Sequence, residues 1–299
     1  MGLSASERSS GPRLFVKHGE VAIVIKNFRR HKMAVYAAVI LSILILCAVL
    51  APLLAPYDPY AVNLAGRPQP PSWSHVWGTD HLGRDYLSRA LYGARVSLGV
   101  GLAAMTVAII IGTLTGMLAG YFGGAIDQIL MRLTDLVMSF PSLIIMMALS
   151  SIVGSPSILM VVLIIGGFTW MSPARLVRAE FLSLREREFV TAARSIGCSN
   201  ARVMVNHMLR NSLSPIIVAA SLAIPVAILT EATLSFLGFG IQPPTSSWGN
   251  MLNASLRYMK EGVWWIGIYP GVLISVVVLA FNFIGDGIRD AIDPRLRTR

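Results

Sequence analysis

The chain has 299 residues, of which 55% are hydrophobic and only 13% are charged. Soluble domains carry roughly a quarter of their residues as charges, so this composition excludes an ordinary soluble enzyme and a disordered chain. The 25 Lys and Arg exceed the 15 Asp and Glu, which gives a formal net charge of +10. The basic residues lie between long apolar runs and not along one stripe. This arrangement is typical of an integral membrane protein and not of a nucleic-acid-binding protein.

The N-terminal segment is basic and precedes the first long apolar run. Residues 1–32 contain seven Lys and Arg, and within them residues 21–32 alternate apolar and basic residues. This alternation predicts an amphipathic segment that lies on the face of the membrane. The uncharged run 33–57 is long enough to cross the bilayer and predicts the first transmembrane helix. It is too long for a signal peptide and follows a basic lead, so we do not expect it to be cleaved.

A proline-rich connection, residues 57–92, separates the first apolar run from the second. Within it, Asp80, Arg84 and Asp85 have, together with Arg89, the spacing of one helix face. Ion pairs on an exposed helix face contribute little stability. The spacing therefore predicts a charged helical surface on the extracytoplasmic side.

Five further transmembrane helices are predicted from the apolar runs that follow. Residues 96–126 form the second span, whereas the 39 uncharged residues 136–174 are too many for one span. The sequence Gly-Ser-Pro-Ser at 154–157 has the turn chemistry that folds this run into a helical hairpin. The last two spans lie at 214–239 and 263–284. The predicted fold class is an all-α integral membrane protein with six transmembrane helices.

The distribution of Lys and Arg predicts which side of the membrane each loop occupies. Nineteen of them lie in the two tails, in the 175–210 loop and at Arg132, and six lie in the alternate loops. Cytoplasmic loops carry the excess of Lys and Arg in membrane proteins. We therefore expect both termini and the 175–210 loop in the cytoplasm.

The loop between the fourth and fifth spans is longer than a simple connection requires. Residues 188–215 fit two short helices, with Gly197 able to end the first helix and Ser199 or Asn200 able to cap the second. One interpretation is a solvated, positively charged loop that only fixes orientation; the other is a docking element for a cytoplasmic partner. The apolar content favours docking, because such side chains would otherwise face water. The apolar residues are Phe189, Val190, Ile196, Val203, Met204 and Met208.

This loop resembles the signature loop of binding-protein-dependent ABC importer permeases. The family pattern is Glu-Ala-Ala, three residues, Gly, nine residues and then Ile-x-Leu-Pro. The chain matches it at Ala192, Ala193, Gly197 and Leu209. It departs from the pattern at Thr191, His207 and Arg210. The resemblance implies that an ATPase docks on the loop at about residues 180–212.

Three further stretches resemble the second permease subunit of dipeptide, oligopeptide and nickel importers. They are residues 77–98, 234–252 and 281–295. The similarity implies the type I ABC importer permease fold in the plasma (inner) membrane of a bacterium or archaeon. The implied function is to form, with a homologous permease, the translocation pathway for a small solute. Di- or oligopeptides are the first expectation for this solute, and nickel chelates, opines or glycosides stay open.

The resemblance also implies a division of the chain and a set of partners. The partners are a homologous permease, two ATPases, an extracytoplasmic solute-binding protein and membrane lipid, with no nucleic acid. In such a complex, Asp80, Arg84 and Asp85 are candidates for the extracytoplasmic gate and for contact with the binding protein. The domains are a cytoplasmic tail with the amphipathic segment (1–32), the first helix with the extracytoplasmic segment (33–92), a five-helix core with the docking loop (93–289) and a cytoplasmic tail (290–299).

No catalytic centre, cofactor site or metal site is predicted in this chain. The sequence contains no G-x-x-x-x-G-K-[ST] phosphate loop, so we expect ATP and Mg²⁺ to bind to the partner ATPase and this chain to be no enzyme. The five His are scattered, and no pair has ligand spacing on one helix.

Glu231 is the one clear charge within a predicted span. An ionisable side chain there costs at least a few kcal/mol unless it faces a cavity or a partner. It is therefore either a candidate for the solute pathway or a structural group bonded to Thr230, Thr233 or a neighbouring helix.

Features at the ends of the spans are expected to be structural. Asp127, Arg132 and Asp135 have the spacing of one helix face at the mouth of the third span and predict an ion-pair cluster. Pro141 and Pro225 are either kinks in the third and fifth spans or, as most such prolines are, packing features that neighbouring helices tolerate.

Two other classes of protein have less support. A self-contained secondary transporter, which stays the alternative, should carry several intramembrane charges for ion coupling, and only Glu231 is evident. An intramembrane enzyme needs a nucleophile with its base, or a pair of carboxylates, at membrane depth, and the sequence shows neither.

Overall fold

The computed structural model describes residues 25–63, 68–154 and 156–292, and these residues form helices and connections without a strand. An isolated antiparallel bridge joins Thr79 to Asp85. Most of the predicted N-terminal tail and the last seven residues of the C-terminal tail lie outside the described residues.

Long helices alternate with short ones along the chain. In the first part they are α1 (Lys32–Val49), α2 (Ala51–Leu54), α3 (Tyr86–Phe122), α4 (Gly124–Met138), α5 (Ser142–Val153), α6 (Ile158–Gly167) and α7 (Met171–Arg185). In the second part they are α8 (Glu188–Ser195), α9 (Asn200–Arg202), α10 (Arg210–Phe236), α11 (Trp248–Tyr258) and α12 (Trp265–Ile292). A π-helical segment, Val203–Leu209, joins α9 to α10, and a 3-10 turn, Met259–Glu261, follows α11.

Four helices are long and apolar enough to cross a membrane by themselves. They are α1, α3, α12 and the continuous helix Asn200–Phe236. The other two predicted spans are each broken into two helices: α4 and α5 meet at 81°, and α6 and α7 meet at 46°. Counting each bent pair as one span gives six, the predicted number.

The chemistry of the breaks explains their positions. Pro141 lies at the start of α5, and because proline has no N–H to continue a helix, the predicted kink of the third span falls there. Gly154, with φ of +80°, ends α5, and the Ser157 side chain caps α6. The predicted helical hairpin is therefore confirmed. Pro225, in contrast, lies inside α10 without interrupting it.

α3 is the central helix and packs against α1, α6, α7 and α10. Its contact with α7 is made by three glycines one turn apart, Gly112, Gly116 and Gly120, which we call the glycine seam. A Cβ atom on Gly116 would lie 2.4 Å from the carbonyl oxygen of Ala174, so the two backbones touch. Small residues permit this close approach of helices in membranes.

The two ends of the helix bundle are built differently. One end, the loop end, contains residues 188–209, which we call the 188–209 loop. The opposite end contains residues 57–63, 68–85 and 237–264. There the Tyr86 hydroxyl donates a hydrogen bond of 2.6 Å to the Ile266 carbonyl oxygen, which joins the first turn of α3 to α12.

Candidate functional site

The segment with the family pattern folds as one short helix, α8, and the start of a long one, with the turn between them at Gly197. This glycine has φ of +83°, in the left-handed region that favours residues without a Cβ. Its N–H donates to the Arg194 carbonyl (2.9 Å), and the Cys198 N–H donates to the Ala193 carbonyl (3.1 Å). The Ser199 side chain then caps α9. The predicted first helix, the turn and the cap are confirmed, whereas the second helix is not short, since it continues to Phe236.

Most apolar side chains of the 188–209 loop pack against the chain itself. The ends of α3 and α7 cover them through residues that include Tyr121 and Phe181. The prediction that these side chains need a partner to leave water is therefore wrong for most of them. Ile196 is the exception, since 80% of its surface is exposed. The buried residues are Val190, Val203, Met204 and Met208, and Phe189 is partly buried.

The four residues that match the family pattern have different surroundings. Ala192 and Gly197 are exposed, Leu209 is partly buried, and Ala193 is buried among the chain's own side chains. Ala192 therefore lies on the open surface of the loop, whereas Ala193 lies beneath it. A Cβ atom at Gly197 would meet no heavy atom within 4 Å, so glycine is required there by the backbone conformation and not by lack of space.

Two side-chain contacts fix the 188–209 loop to the end of α3. The Tyr121 hydroxyl donates a hydrogen bond of 2.8 Å to the Asn200 side chain. The Arg194 guanidinium lies over the Tyr121 ring, 4.9 Å from its centroid, which is a cation–π contact. From Asn200 the helix continues without a break to Phe236, over 37 residues. The second arm of the loop, residues 200–209, is therefore one helix with α10.

Two ion pairs hold α4 against α7. Asp127 accepts two hydrogen bonds from Arg178, and Asp135 accepts one of 2.6 Å from Arg175. The prediction that these aspartates form a cluster with Arg132 is wrong. The arginines of the antiparallel helix α7 face both carboxylates, whereas Arg132 is exposed.

The charged residues at 80–89 are buried and do not form a helix face. α3 begins after Asp85, so Asp80 and Arg84 lie in the preceding loop. Asp80 accepts a hydrogen bond of 2.7 Å from Arg84 Nε and lies 3.4 Å from Arg89 Nη1. Asp85 caps α3 by accepting from the Ser88 N–H (2.8 Å). The four charged residues are at most 6% exposed, so the predicted charged surface is wrong. In the structure their hydrogen bonds and ion pairs fix the conformation of this loop and the start of α3.

His81 links this loop to α11. Its ring stacks on Tyr258, with ring centroids 5.0 Å apart. Burial lowers the pKa of His81, and the nearby Asp80 carboxylate acts in the opposite direction. The neutral ring is therefore favoured in this contact.

Glu231 is enclosed at the opposite end of the bundle and is 0% exposed. Its carboxylate accepts hydrogen bonds from Ser97 on α3 (3.0 Å) and from Ser235 (2.8 Å). Thr230 and Thr233 instead donate to carbonyls of their own helix. Ser247, the last residue before α11, is a further hydrogen-bonding partner of the carboxylate. The partners of Glu231 thus lie on a neighbouring helix, one turn away on α10 and at the start of α11.

A cavity of about 1010 Å³ lies between the two bent helix pairs. Its wall comes from the α4–α5 and α6–α7 junctions, from α10 and from the last turn of α12. Most lining side chains are apolar, and Glu180 and Arg289 supply the charges. Glu231 does not line it. The hydroxyl groups in the wall belong to Ser142, Thr169, Ser172 and Ser214.

This cavity could not be predicted directly from the sequence, because it depends on two helix breaks. The break at Pro141 has a signal in the sequence, whereas the break after Gly167 has no proline at the bend. A second, apolar cavity of about 660 Å³ lies between α1 and α12, beside Phe28 and Arg29. Within the described ranges, no group of three or more His, Cys, Asp or Glu is placed to hold a metal ion.

Two family models match the chain. Residues 112–298 match the family described as binding-protein-dependent transport system inner membrane component. Residues 21–71 match the family described as N-terminal TM domain of oligopeptide transport permease C. The first match contains the 188–209 loop and the whole wall of the large cavity.

Several proteins are similar over nearly the full length. A dipeptide transport system permease protein of Alkalihalophilus pseudofirmus is 42% identical over 273 residues, which cover 91% of this chain and 89% of the relative. A putative peptide transport system permease protein of Brucella abortus biovar 1 is 40% identical over 277 residues, 93% of each chain. A putative peptide permease protein of Brucella suis biovar 1 is 40% identical over 289 residues, 96% of this chain and 95% of the relative.

Proposed function

This chain belongs to the family of binding-protein-dependent transport system inner membrane components, and we propose on that premise that it forms one half of the translocation pathway of an ATP-driven importer of di- or oligopeptides. It is a multi-pass protein of the inner membrane and a transport subunit. The names of the similar relatives, which are dipeptide and peptide transport permeases, support peptides as the cargo.

The observation that carries this function is that the large cavity and the 188–209 loop share the same helices. α7 lines the cavity with Pro173, Leu176 and Glu180, while Val177 and Phe181 on another face pack under the loop. α10 likewise lines the cavity and is continuous with the end of the loop. A partner that moves the loop would therefore change the shape of the cavity.

The family match supports a set of partners for this arrangement. One of two ATPases binds the exposed surface of the 188–209 loop around Ala192 and Ile196, and it carries the ATP and Mg²⁺. A homologous permease completes the wall of the cavity, a solute-binding protein delivers cargo at the opposite end, and lipid surrounds the outer helices. In a cysteine-free background, a Cys at Ile196 should react with an impermeant reagent only from the cytoplasm, and one at the exposed Trp73 only from outside.

The wall of the cavity suits a peptide. Hydroxyl groups both donate and accept hydrogen bonds, so they can serve the amide and carbonyl groups that all peptides share. The apolar remainder of the wall does not select one side chain. Nickel chelates, opines and glycosides are the competing cargoes, and the solute that co-purifies with the binding protein would identify the cargo.

The function is tested by filling the cavity in the reconstituted complex. Ala219→Trp places a large ring in the wall, and we expect it to abolish uptake while the ATPase still co-purifies. Ala103→Trp is the matched control, because Ala103 is an exposed alanine on α3 that does not line the cavity. Uptake driven by an ion gradient without an ATPase would contradict the proposal and favour a secondary transporter.

A further inference from the structure

The surroundings of Glu231 form a hydrogen-bond network that joins three helices. Glu231 Oε2 accepts from Ser97 on α3, and Oε1 accepts from Ser235 on α10. Ser97 Oγ in turn accepts from the N–H of Trp248, the first residue of α11 (3.1 Å). Ser235 Oγ accepts from the N–H of Ile241 (2.9 Å). All five residues are buried.

The direction of these hydrogen bonds is fixed by the backbone. An N–H group can only donate, so the hydroxyl oxygens of Ser97 and Ser235 act as acceptors toward Trp248 and Ile241. Each hydroxyl has a single proton, which is then left for Glu231. The site therefore needs one side chain that accepts at two oxygens, and a carboxylate is such a group.

The two backbone donors lie within and directly after one connection. Residues 237–247 join α10 to α11, with Ile241 in the first half and Trp248 directly after the last residue. Between them, Pro243 and Pro244 are exposed at the surface of the opposite end. Trp248 is held a second time, since its Nε1 donates to the Ala90 carbonyl (3.1 Å).

We infer that Glu231 is a positioning residue that fixes the 237–247 connection to α3 and α10. A movement of the helix that begins in the 188–209 loop would then also move the exposed residues of this connection. The carboxylate acts through Ser97, Ser235 and Ser247, the last of which belongs to the connection itself, and does not contact solute. In the proposed importer, on which this step rests, Glu231 would keep the exposed connection in the geometry that the binding protein recognises.

Hydrogen–deuterium exchange on the purified complex tests the positioning directly. Glu231→Gln offers one acceptor oxygen in place of two, so we expect the amides of residues 239–249 to exchange about tenfold faster, as for one lost buried hydrogen bond. Ser97→Ala with Ser235→Ala should have the same effect. Thr233→Val is the matched control, because the Thr233 hydroxyl bonds only its own helix. Unchanged exchange in Glu231→Gln would overturn the inference.

The functional consequence is measured by ATPase activity against the concentration of binding protein. We expect Glu231→Gln to lower the apparent affinity for the binding protein about tenfold and to leave the maximal stimulated rate unchanged. A changed selectivity among peptides, with unchanged exchange, would instead place Glu231 on the solute pathway and overturn the inference. Failure of the wild-type complex to hydrolyse ATP would contradict the proposed function alone, because the exchange result does not depend on it.

Discussion

The Tyr121 hydroxyl, at the end of α3, lies 2.8 Å from the Asn200 side-chain oxygen, at the start of the helix that runs through α10. The same ring supports the Arg194 guanidinium, which comes from α8. One aromatic side chain therefore contacts both arms of the 188–209 loop, on either side of Gly197. The central helix of the bundle and the loop are joined at this residue.

Tyr121→Phe should weaken this joint without removing the ring. The change deletes the hydrogen bond to Asn200 and keeps the contact with Arg194, so we expect a loss of about 1 kcal/mol in the stability of the contact. Fewer peptides should then be imported per ATP hydrolysed, which uptake and ATPase assays on the same vesicles would measure. Asn200→Ala should lower the number of peptides imported per ATP to the same extent, and the double variant should lower it no further than either single variant. Strict additivity would show that the two residues act separately.

Gly197→Val should uncouple ATP hydrolysis from uptake through backbone strain. The left-handed conformation costs a residue with a Cβ about 1–2 kcal/mol, and a β-branched residue tolerates it least. Gly197→Asn is the control, since asparagine visits this region at lower cost. We expect the valine variant to insert normally and to lose coupled uptake, while the asparagine variant keeps most of it. Normal coupling in the valine variant would show that the loop serves only as a tether.

A larger side chain should affect a different property at each of the neighbouring residues Ala192 and Ala193. Ala193→Leu overpacks the cluster beneath the loop and should destabilise the chain itself by about 1–3 kcal/mol, seen as a lower melting temperature in detergent. Ala192→Leu alters an exposed position and should leave the melting temperature unchanged while it reduces ATPase co-purification. Equal melting temperatures for both variants would contradict the burial of Ala193.

Arg84→Glu should destabilise the fold and not act as a selective surface change. Breaking a buried ion pair by removing one partner costs about 3–5 kcal/mol, and this substitution also places two carboxylates side by side. We expect low yield and a lower melting temperature of the purified complex. Arg95→Glu is the matched control with the same charge change at an exposed position of α3. A stable Arg84→Glu complex that lost only its response to binding protein would restore the surface interpretation.

Features set by local chemistry could be predicted from the sequence. The apolar runs, the hairpin turn at Gly154 and the turn at Gly197 depend on residues close in the chain, and the structure has all three. Features set by tertiary contacts could not be predicted. The partner of Asp127 is Arg178, on another helix, and no spacing within α4 indicates it. Asp80 and Arg84 are four residues apart and form an ion pair, as on a helix, but here a folded loop brings them together. Their spacing alone therefore does not distinguish a helix from a loop.

The glycine seam between α3 and α7 limits where this chain can bend. Along the seam, backbone lies against backbone, as at Gly116 and Ala174, so there are few side-chain rotamers whose rearrangement could let the helices tilt apart. The pair therefore has few internal degrees of freedom. We expect conformational change during a transport cycle at the junctions 139–141 and 168–170, where the helices are already bent and which flank the large cavity. The two junctions also supply part of the wall of the large cavity, through Phe140, Phe168 and Thr169. A bend at either junction would therefore reshape the cavity directly.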